Sequence, residues 1–175
     1  MVRLEKGLVQ VYTGNGKGKT TAAFGLALRA VGRGLKVYVI QFIKGGFEYG
    51  ELYVVDKLPG LTLKAFGRGK FITAKPKKED IRQAQEALKL ARQVISSGRY
   101  DLVILDEVNV ALHLKLIELD EVLGLIGEKP VHVELVLTGR NAPDGILQVV
   151  DLVTEMKEVK HPYSKGVPAR KGIEY

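Results

Sequence analysis

The feature that most constrains this chain of 175 residues is the segment 9–21, VQVYTGNGKGKTT. A short apolar run with high β propensity leads into it, and a turn rich in glycine and lysine forms its middle. A helical pattern from Thr21 to Val31 leaves it. That order of strand, turn and helix is the context that makes a Gly-Lys-Thr triplet a phosphate-binding loop. We therefore predict a nucleotide site here and not a surface turn.

Each residue type in this loop has a task in holding phosphate. The glycines allow the backbone to bend so that its N–H groups converge on phosphate oxygens, and the N-terminus of the next helix adds a favourable field. Lys19 supplies a mobile charge for the outer phosphates, and Thr20 offers a hydroxyl to a phosphate-bound Mg²⁺. The glycines concerned are Gly14, Gly16 and Gly18.

The loop is a variant of the usual pattern G-x-x-x-x-G-K-[ST]. That pattern has glycine at the position of Thr13, and this chain carries an additional lysine, Lys17, inside the loop. The departure leaves the strand, loop and helix order intact, so the prediction of a phosphate site stands.

A second signal is the segment Tyr100–Glu107, an apolar run that ends in two adjacent carboxylates. Beside a phosphate loop, such acids hold Mg²⁺ or orient a water molecule. Because successive strand residues point to opposite faces, Asp106 and Glu107 cannot both reach one ion in the same way. One of them is a direct ligand and the other supports it, and the sequence leaves open which is which.

The apolar pattern predicts the fold class. Leu35–Ile43 is a nearly continuous apolar run, typical of a strand buried on both faces, and it completes a βαβ unit. Val131–Thr138 is another predicted strand, and Arg140 beyond its end is either a ligand contact or an ordinary helix-entry arginine. We predict an α/β fold with a single P-loop NTPase-like (RecA-like) domain over residues 1–175. Its central sheet is mostly parallel, with helices on both faces.

Three further segments complete this outline. Lys44–Glu51 and Gly67–Thr73 are predicted to be loops at the binding site, because open α/β sheets bind ligands beyond the carboxyl ends of their strands. A helix is predicted after Pro76, and the tail 157–175 is predicted to be irregular. The apolar stripe of that helix comprises Ile81, Ala84, Leu88, Ala91 and Ile95.

The amino-acid composition limits the classes of protein to which this chain can belong. At 46% apolar residues the chain can bury an ordinary core, and without cysteine it has neither a disulfide framework nor a thiolate zinc site. A charged start and the lack of an apolar run of about 20 residues favour a cytoplasmic protein with no membrane span. Segment 64–92 carries nine basic and three acidic residues. A solvated helix face explains this excess better than a nucleic-acid surface.

The loop sequence TGNGKGKTTAA at 13–23 resembles the phosphate loop of the P-loop corrinoid adenosyltransferases. The likeness spans nearly the whole chain and is far more specific than a generic phosphate loop. The other matching segments are RAVG at 29–32, QFIKG at 41–45, LDE at 105–107, TGR at 138–140, KHPY at 160–163, GV at 166–167 and GIEY at 172–175.

The resemblance implies an ATP:corrinoid adenosyltransferase. Reduced cobalt, Co(I), attacks the 5′ carbon of ATP, the 5′-deoxyadenosyl group is transferred and triphosphate leaves, in adenosylcobalamin biosynthesis or salvage. The loop then stabilises charge on a whole triphosphate, which suits the extra cation Lys17 beside Lys19 and Thr20. Co(I) is itself a strong nucleophile, so the protein positions the substrates and stabilises the leaving group.

The resemblance also implies roles for particular residues. Residues 15–21, from Asn15 to Thr21, hold the triphosphate, Thr20 and Glu107 bind Mg²⁺ or Mn²⁺, and Arg29 approaches the nucleotide. The tail 157–175 is expected over or near the active site, as a contact between chains in a homodimer. A reductase that supplies Co(I) is the expected protein partner, with ATP and a corrinoid as the small-molecule substrates.

One departure concerns the corrinoid side of the site. The family commonly has Phe-Thr-Trp after the glycine pair of the middle loop, whereas this chain has Lys70-Phe71-Ile72 and no tryptophan. Phe71 is the predicted substitute. Two other function classes stay open, namely a generic P-loop ATPase or small-molecule kinase with Asp106 or Glu107 as base, and a nucleotide-gated nucleic-acid-binding module that uses segment 64–92.

Overall fold

Six short strands form one sheet in this computed structural model, which describes residues 3–70, 72 and 75–175. In sheet order they run β3-β2-β4-β5-β1-β6, and every pairing among them is parallel. The predicted α/β class with a mostly parallel sheet is therefore confirmed. The strands are β1 Val9–Thr13, β2 Val37–Gln41, β3 Leu61–Ala65, β4 Leu102–Asp106, β5 Glu134–Thr138 and β6 Leu152–Glu155.

Helices cover both faces of the sheet, as predicted. One face is covered by α1, whose Ala23, Ala27 and Ala30 are buried against strand residues such as Val39. The opposite face carries the larger core, to which the other helices contribute. The helices are α1 Lys19–Val31, α2 Lys78–Ser96, α3 Val108–His113, α4 Leu119–Gly127 and α5 Asp144–Leu147. In the described part of the chain, none of them is long and apolar enough to cross a membrane.

Two sequence predictions need correction. Helix α1 begins at Lys19 and not at Thr21, because its first turn is polar and apolar periodicity does not register it. Ile81, predicted to belong to the apolar stripe of α2, is 42% exposed. The inward position in the first turn of α2 is taken by Asp80, which accepts hydrogen bonds from Arg68 and from the Lys77 N–H.

The parallel sheet brings several loops to one edge. The carboxyl ends of β1, β2, β4 and β5 all lie there, and β5 separates the phosphate-loop strand β1 from the acid-bearing strand β4. Ligand sites in open parallel sheets form at this edge. The fold therefore places the two strongest signals of the sequence at one site.

Candidate active site

The phosphate loop packs tightly against the chain that follows β6. Gly14 has φ 93°, and a Cβ there would lie 2.5 Å from the carbonyl oxygen of Met156; at Gly16 it would lie 2.7 Å from the same atom. The Gly16 N–H donates to that carbonyl at 2.6 Å. This differs from the prediction that the loop glycines turn their amides inward, since at Gly16 the amide holds the loop to its neighbour.

The lysines of the loop have different surroundings. Lys19 is buried, and its Nζ donates to the carbonyl oxygens of Gly14 and Gly16 at 2.7 Å each, which closes the loop on itself. Burial lowers the pKa of Lys19. Lys17 is exposed, and its Nζ donates to Glu174 Oε1 at 2.8 Å. Of the two, Lys19 is fixed by the loop and Lys17 by the C-terminal segment.

Asp106 is the centre of a buried hydrogen-bond network. It is fully buried at the end of β4, and its Oδ1 accepts from Thr20 Oγ1 at 3.0 Å and from Thr138 Oγ1 at 2.6 Å. Its Oδ2 accepts from Gln41 Nε2 at 3.1 Å and from Lys44 Nζ at 2.7 Å. Burial alone would raise the pKa of Asp106, but Lys44 and the hydroxyl donors outweigh it and hold that pKa below its usual value.

Glu107 lies beside this network: its backbone N–H donates to Thr138 Oγ1 at 3.0 Å, and its Oε1 is 3.9 Å from Lys44 Nζ. It has φ 65°, an uncommon left-handed conformation for a residue with a Cβ, and it precedes α3. The change of backbone direction puts its side chain on the cavity wall instead of on the opposite sheet face. Burial and the neighbouring charge of Asp106 raise the pKa of the Glu107 carboxyl.

These groups border a cavity of about 860 Å³, within the range of ligand-binding pockets. Its polar wall is formed by the phosphate loop, the first turn of α1, Lys44, Glu107 and Arg140. The first N–H groups of a helix have no partner inside it, so the start of α1 offers donors to this wall. Much of the remaining lining is apolar and includes Phe24, Leu28, Ile43, Phe47, Val54, Leu58, Leu61 and Ile72.

Several predicted site residues line this cavity and others do not. Gly16, Lys17, Gly18, Lys19, Thr20, Thr21, Glu107 and Arg140 are on its wall. Gly14, Asn15 and the buried Asp106 are not among the lining residues. Arg29 is exposed on α1 and is not among the described residues of the wall. Phe71 is outside the described residues, while its neighbours Lys70 and Ile72 line the cavity.

The C-terminal tail also contributes. Most of it is exposed, but residues 172–175 and His161 border the cavity, and Glu174 accepts hydrogen bonds from Arg170 and Lys17. The contacts of Lys44, Gln41 and Thr138 with Asp106 were not predicted from the sequence. Two signals pointed to these residues, namely their position at or just after the carboxyl ends of predicted strands and their place in the segments 41–45 and 138–140 that resemble the family.

A loop of this kind between β1 and α1, next to a hydroxyl and carboxylates at one cavity, defines a P-loop α/β protein. The sequence identifies the family within that class. Residues 5–175 match the ATP:corrinoid adenosyltransferase family BtuR/CobO/CobP, and the chain belongs to that family. The resemblance found in the sequence motifs is thereby confirmed.

Curated relatives agree with this assignment. A corrinoid adenosyltransferase of Pseudomonas aeruginosa is 41% identical over 174 residues, which is 99% of this chain and 86% of that protein. One from Sinorhizobium sp is 39% identical and covers 98% of this chain and 81% of its own length. One from Escherichia coli K12 is 37% identical over 171 residues, 98% of this chain and 87% of that protein.

Proposed function

We propose that this protein transfers the 5′-deoxyadenosyl group of ATP to Co(I) of a corrinoid and releases triphosphate, in adenosylcobalamin biosynthesis or salvage. Family membership supports this assignment. The structural observation that carries it is a cavity of about 860 Å³ lined by both a cationic phosphate loop and many apolar side chains. A triphosphate suits the cationic part of the lining, and an organic ring system suits the apolar part.

The chain's part in this reaction is positioning and charge stabilisation. The electron pair of Co(I) forms the bond to C5′, the C5′–oxygen bond breaks, and its electrons leave with the triphosphate. Lys19, Lys17 and the amides at the start of α1 stabilise the charge that grows on the leaving group. The apolar part of the cavity lining keeps water away from C5′. Water at that carbon would compete with Co(I) for the adenosyl group.

The residues around Thr20 fit a divalent cation such as Mg²⁺ or Mn²⁺. The Thr20 hydroxyl and the carboxylates of Asp106 and Glu107 are hard oxygen donors. The ammonium group of Lys44 lies among them, so the position already holds a positive charge. The described residues contain no group of three or more acids or histidines for a metal. Phosphate oxygens would therefore complete the shell, as is usual for Mg²⁺. When bound, the ion neutralises phosphate charge.

We infer different tasks for the two acids. Glu107 faces the cavity and is the direct ligand. Asp106 is buried and accepts the Thr20 hydroxyl, so it orients that ligand from behind. Phe71 as a corrinoid-facing aromatic, a reductase for Co(I), a homodimer in which the tail 157–175 covers the site, and a cytoplasmic location stay predictions.

The test is anaerobic. The protein is mixed with ATP, Mg²⁺ and chemically reduced cob(I)alamin, the visible spectrum is followed, and triphosphate is assayed. We expect a light-sensitive Co–C product and one triphosphate per product, with kcat lowered about 10²–10³-fold in Lys19→Ala. Lys89→Ala, an exposed lysine on α2, is the matched control. Formation of ADP or orthophosphate without a spectral change would contradict the proposal and indicate a hydrolase or kinase.

A further inference from the structure

Lys44 lies among the candidate metal ligands Thr20 and Glu107 and the supporting carboxylate of Asp106. Its Nζ donates to Thr20 Oγ1 at 2.8 Å and to Asp106 Oδ2 at 2.7 Å, and it lies 3.9 Å from Glu107 Oε1. The Lys44 side chain is only 11% exposed. One hydroxyl and two carboxylates therefore surround an ammonium group that is largely shielded from water.

This position requires a cation. Asp106 and Glu107 are adjacent acids with little solvent to screen them, so their repulsion is strong without a positive charge between them. A lysine ammonium offers three N–H donors to such oxygens, and Mg²⁺ would take two of the same groups, Thr20 Oγ1 and the Glu107 carboxylate, as ligands. A divalent ion on these oxygens would lie close to the ammonium, and the repulsion between the two positive charges disfavours their binding there together.

The backbone directly after Lys44 is held in place. The Gly45 N–H donates to the carbonyl oxygen of Phe66 at 2.7 Å, and a Cβ at Gly45 would lie 2.6 Å from the amide nitrogen of Gly67. The loop after β2 is thus in direct contact with the loop after β3. If the ammonium leaves its position, the movement is in the flexible four-carbon stem of the side chain.

We propose that Lys44 neutralises the metal-ligand oxygens when no nucleotide is bound, that it is exchanged for the divalent cation when the triphosphate enters, and that its ammonium then contacts the triphosphate. The identity of the phosphate ligand rests on the proposed function. Lys44 lines the same cavity as Lys17 and Lys19, and its position beside Thr20 at the start of α1 puts it within reach of a phosphate held there. This exchange keeps the charges balanced. The divalent cation enters together with the triphosphate, and the displaced Lys44 ammonium then pairs with the triphosphate.

The test measures metal binding without turnover. The electron paramagnetic resonance signal of unbound Mn²⁺ is titrated with wild type, Lys44→Gln and, as a matched control that removes an exposed lysine of α2 outside the cavity lining, Lys89→Gln. Without phosphate, we expect Lys44→Gln to bind Mn²⁺ at least about tenfold more tightly than the other two proteins. With tripolyphosphate present, wild type gains tight Mn²⁺ binding, and Lys44→Gln binds tripolyphosphate about tenfold more weakly than wild type.

Each of the other possible results also decides for or against the proposed exchange of Lys44 for the divalent cation. Equal Mn²⁺ affinities without phosphate, or unchanged tripolyphosphate affinity in Lys44→Gln, would overturn the exchange. If Lys44→Gln folds only with Mn²⁺ and unfolds on chelation, the metal replaces the ammonium as proposed; if it stays unfolded with Mn²⁺, Lys44 is only a structural counterion. Corrinoid is absent from these titrations, so their failure is distinct from a failure of adenosyl transfer.

Discussion

Two lysine–carboxylate pairs, each with its lysine on the lining of the same cavity, have opposite surroundings. Lys44 and Asp106 are buried, with side chains 11% and 0% exposed, and their charges sit in a network with hydroxyl and amide donors. Lys17 and Glu174 are joined at 2.8 Å, but the lysine side chain is 45% exposed. The distances are nearly the same, so distance does not distinguish the pairs.

Burial is what separates them. An exposed pair exchanges water contacts for a protein contact with little net gain, and salt screens it. A buried pair has already lost its hydration, so removal of one partner leaves the other uncompensated. We therefore expect the Lys44–Asp106 pair to contribute to the stability of the fold. The Lys17–Glu174 pair is expected to contribute little to stability, and Glu174 is expected to compete with the substrate for Lys17.

The largest expected effect is that of Asp106→Ala. It leaves the Lys44 ammonium without its main partner in a buried position, so we expect the free energy of unfolding to fall by about 3–5 kcal/mol. Urea denaturation followed by circular dichroism measures it. Glu158→Ala, at an exposed residue of the tail, is the control and should unfold like wild type. A wild-type midpoint in Asp106→Ala would show that the buried pair does not support the fold.

An intermediate pair sharpens the comparison. Arg68 and Asp80 have side chains 24% and 5% exposed, and Asp80 also accepts the Lys77 N–H at the start of α2. Asp80→Ala removes this cap, so we expect a loss of about 1–2 kcal/mol at neutral pH, measured by urea denaturation at several pH values.

The pH dependence of that loss follows from the pKa of Asp80. The hydrogen bond from Arg68 holds this pKa below its usual value, so the folded state binds the proton less readily than the unfolded chain. The contribution of Asp80 is therefore fully present above the unfolded pKa of about 4 and disappears as pH falls through the folded pKa. A wild-type–variant difference that grows on acidification would contradict this assignment.

The smallest expected effect is that of Glu174→Gln. We expect an unchanged thermal midpoint, and ATP binding about two- to fivefold tighter, because Lys17 no longer has a carboxylate as its competing partner. Hydrogen bonds from Arg170 and Lys17 hold the pKa of Glu174 at about 2, so the gain is constant between pH 6 and pH 8. Isothermal titration calorimetry at low and high salt measures it, and the gain should shrink at high salt. Weaker binding in the variant would mean that Glu174 helps to close the site.

The local parts of this site were predictable from sequence, and the long-range parts were not. The strand, loop and helix around Lys19 and the acids after β4 are encoded in consecutive residues. The contact of Lys44 with Asp106 depends on β2 lying beside β4, with Gln41 opposite Asp106, and apolar patterns do not specify strand order. The contact between Lys17 and Glu174 likewise joins the two ends of the chain.

Arg29 illustrates another limit. Its assignment came from the resemblance, and helical geometry places it about 15 Å along α1 from the phosphate loop. The structure leaves it exposed there, where its charge lowers the pKa of Tyr12 against the larger raising effect of burial. A motif match gives the position of a residue along a helix. Which residues its side chain contacts depends on how that helix packs against the sheet, which the motif does not give.

The packing of the phosphate loop against Met156 has a consequence for biosynthesis. The loop follows β1, the first of the described strands, yet β1 lies between β5 and β6, which come last among them. Gly14 and Gly16 meet backbone atoms that follow β6, so the packing around the loop depends on a segment that is synthesised about 140 residues later. Pairing across such a long stretch of chain is slow. We therefore expect a nascent chain interrupted before β6 to carry the complete loop sequence without a competent nucleotide site.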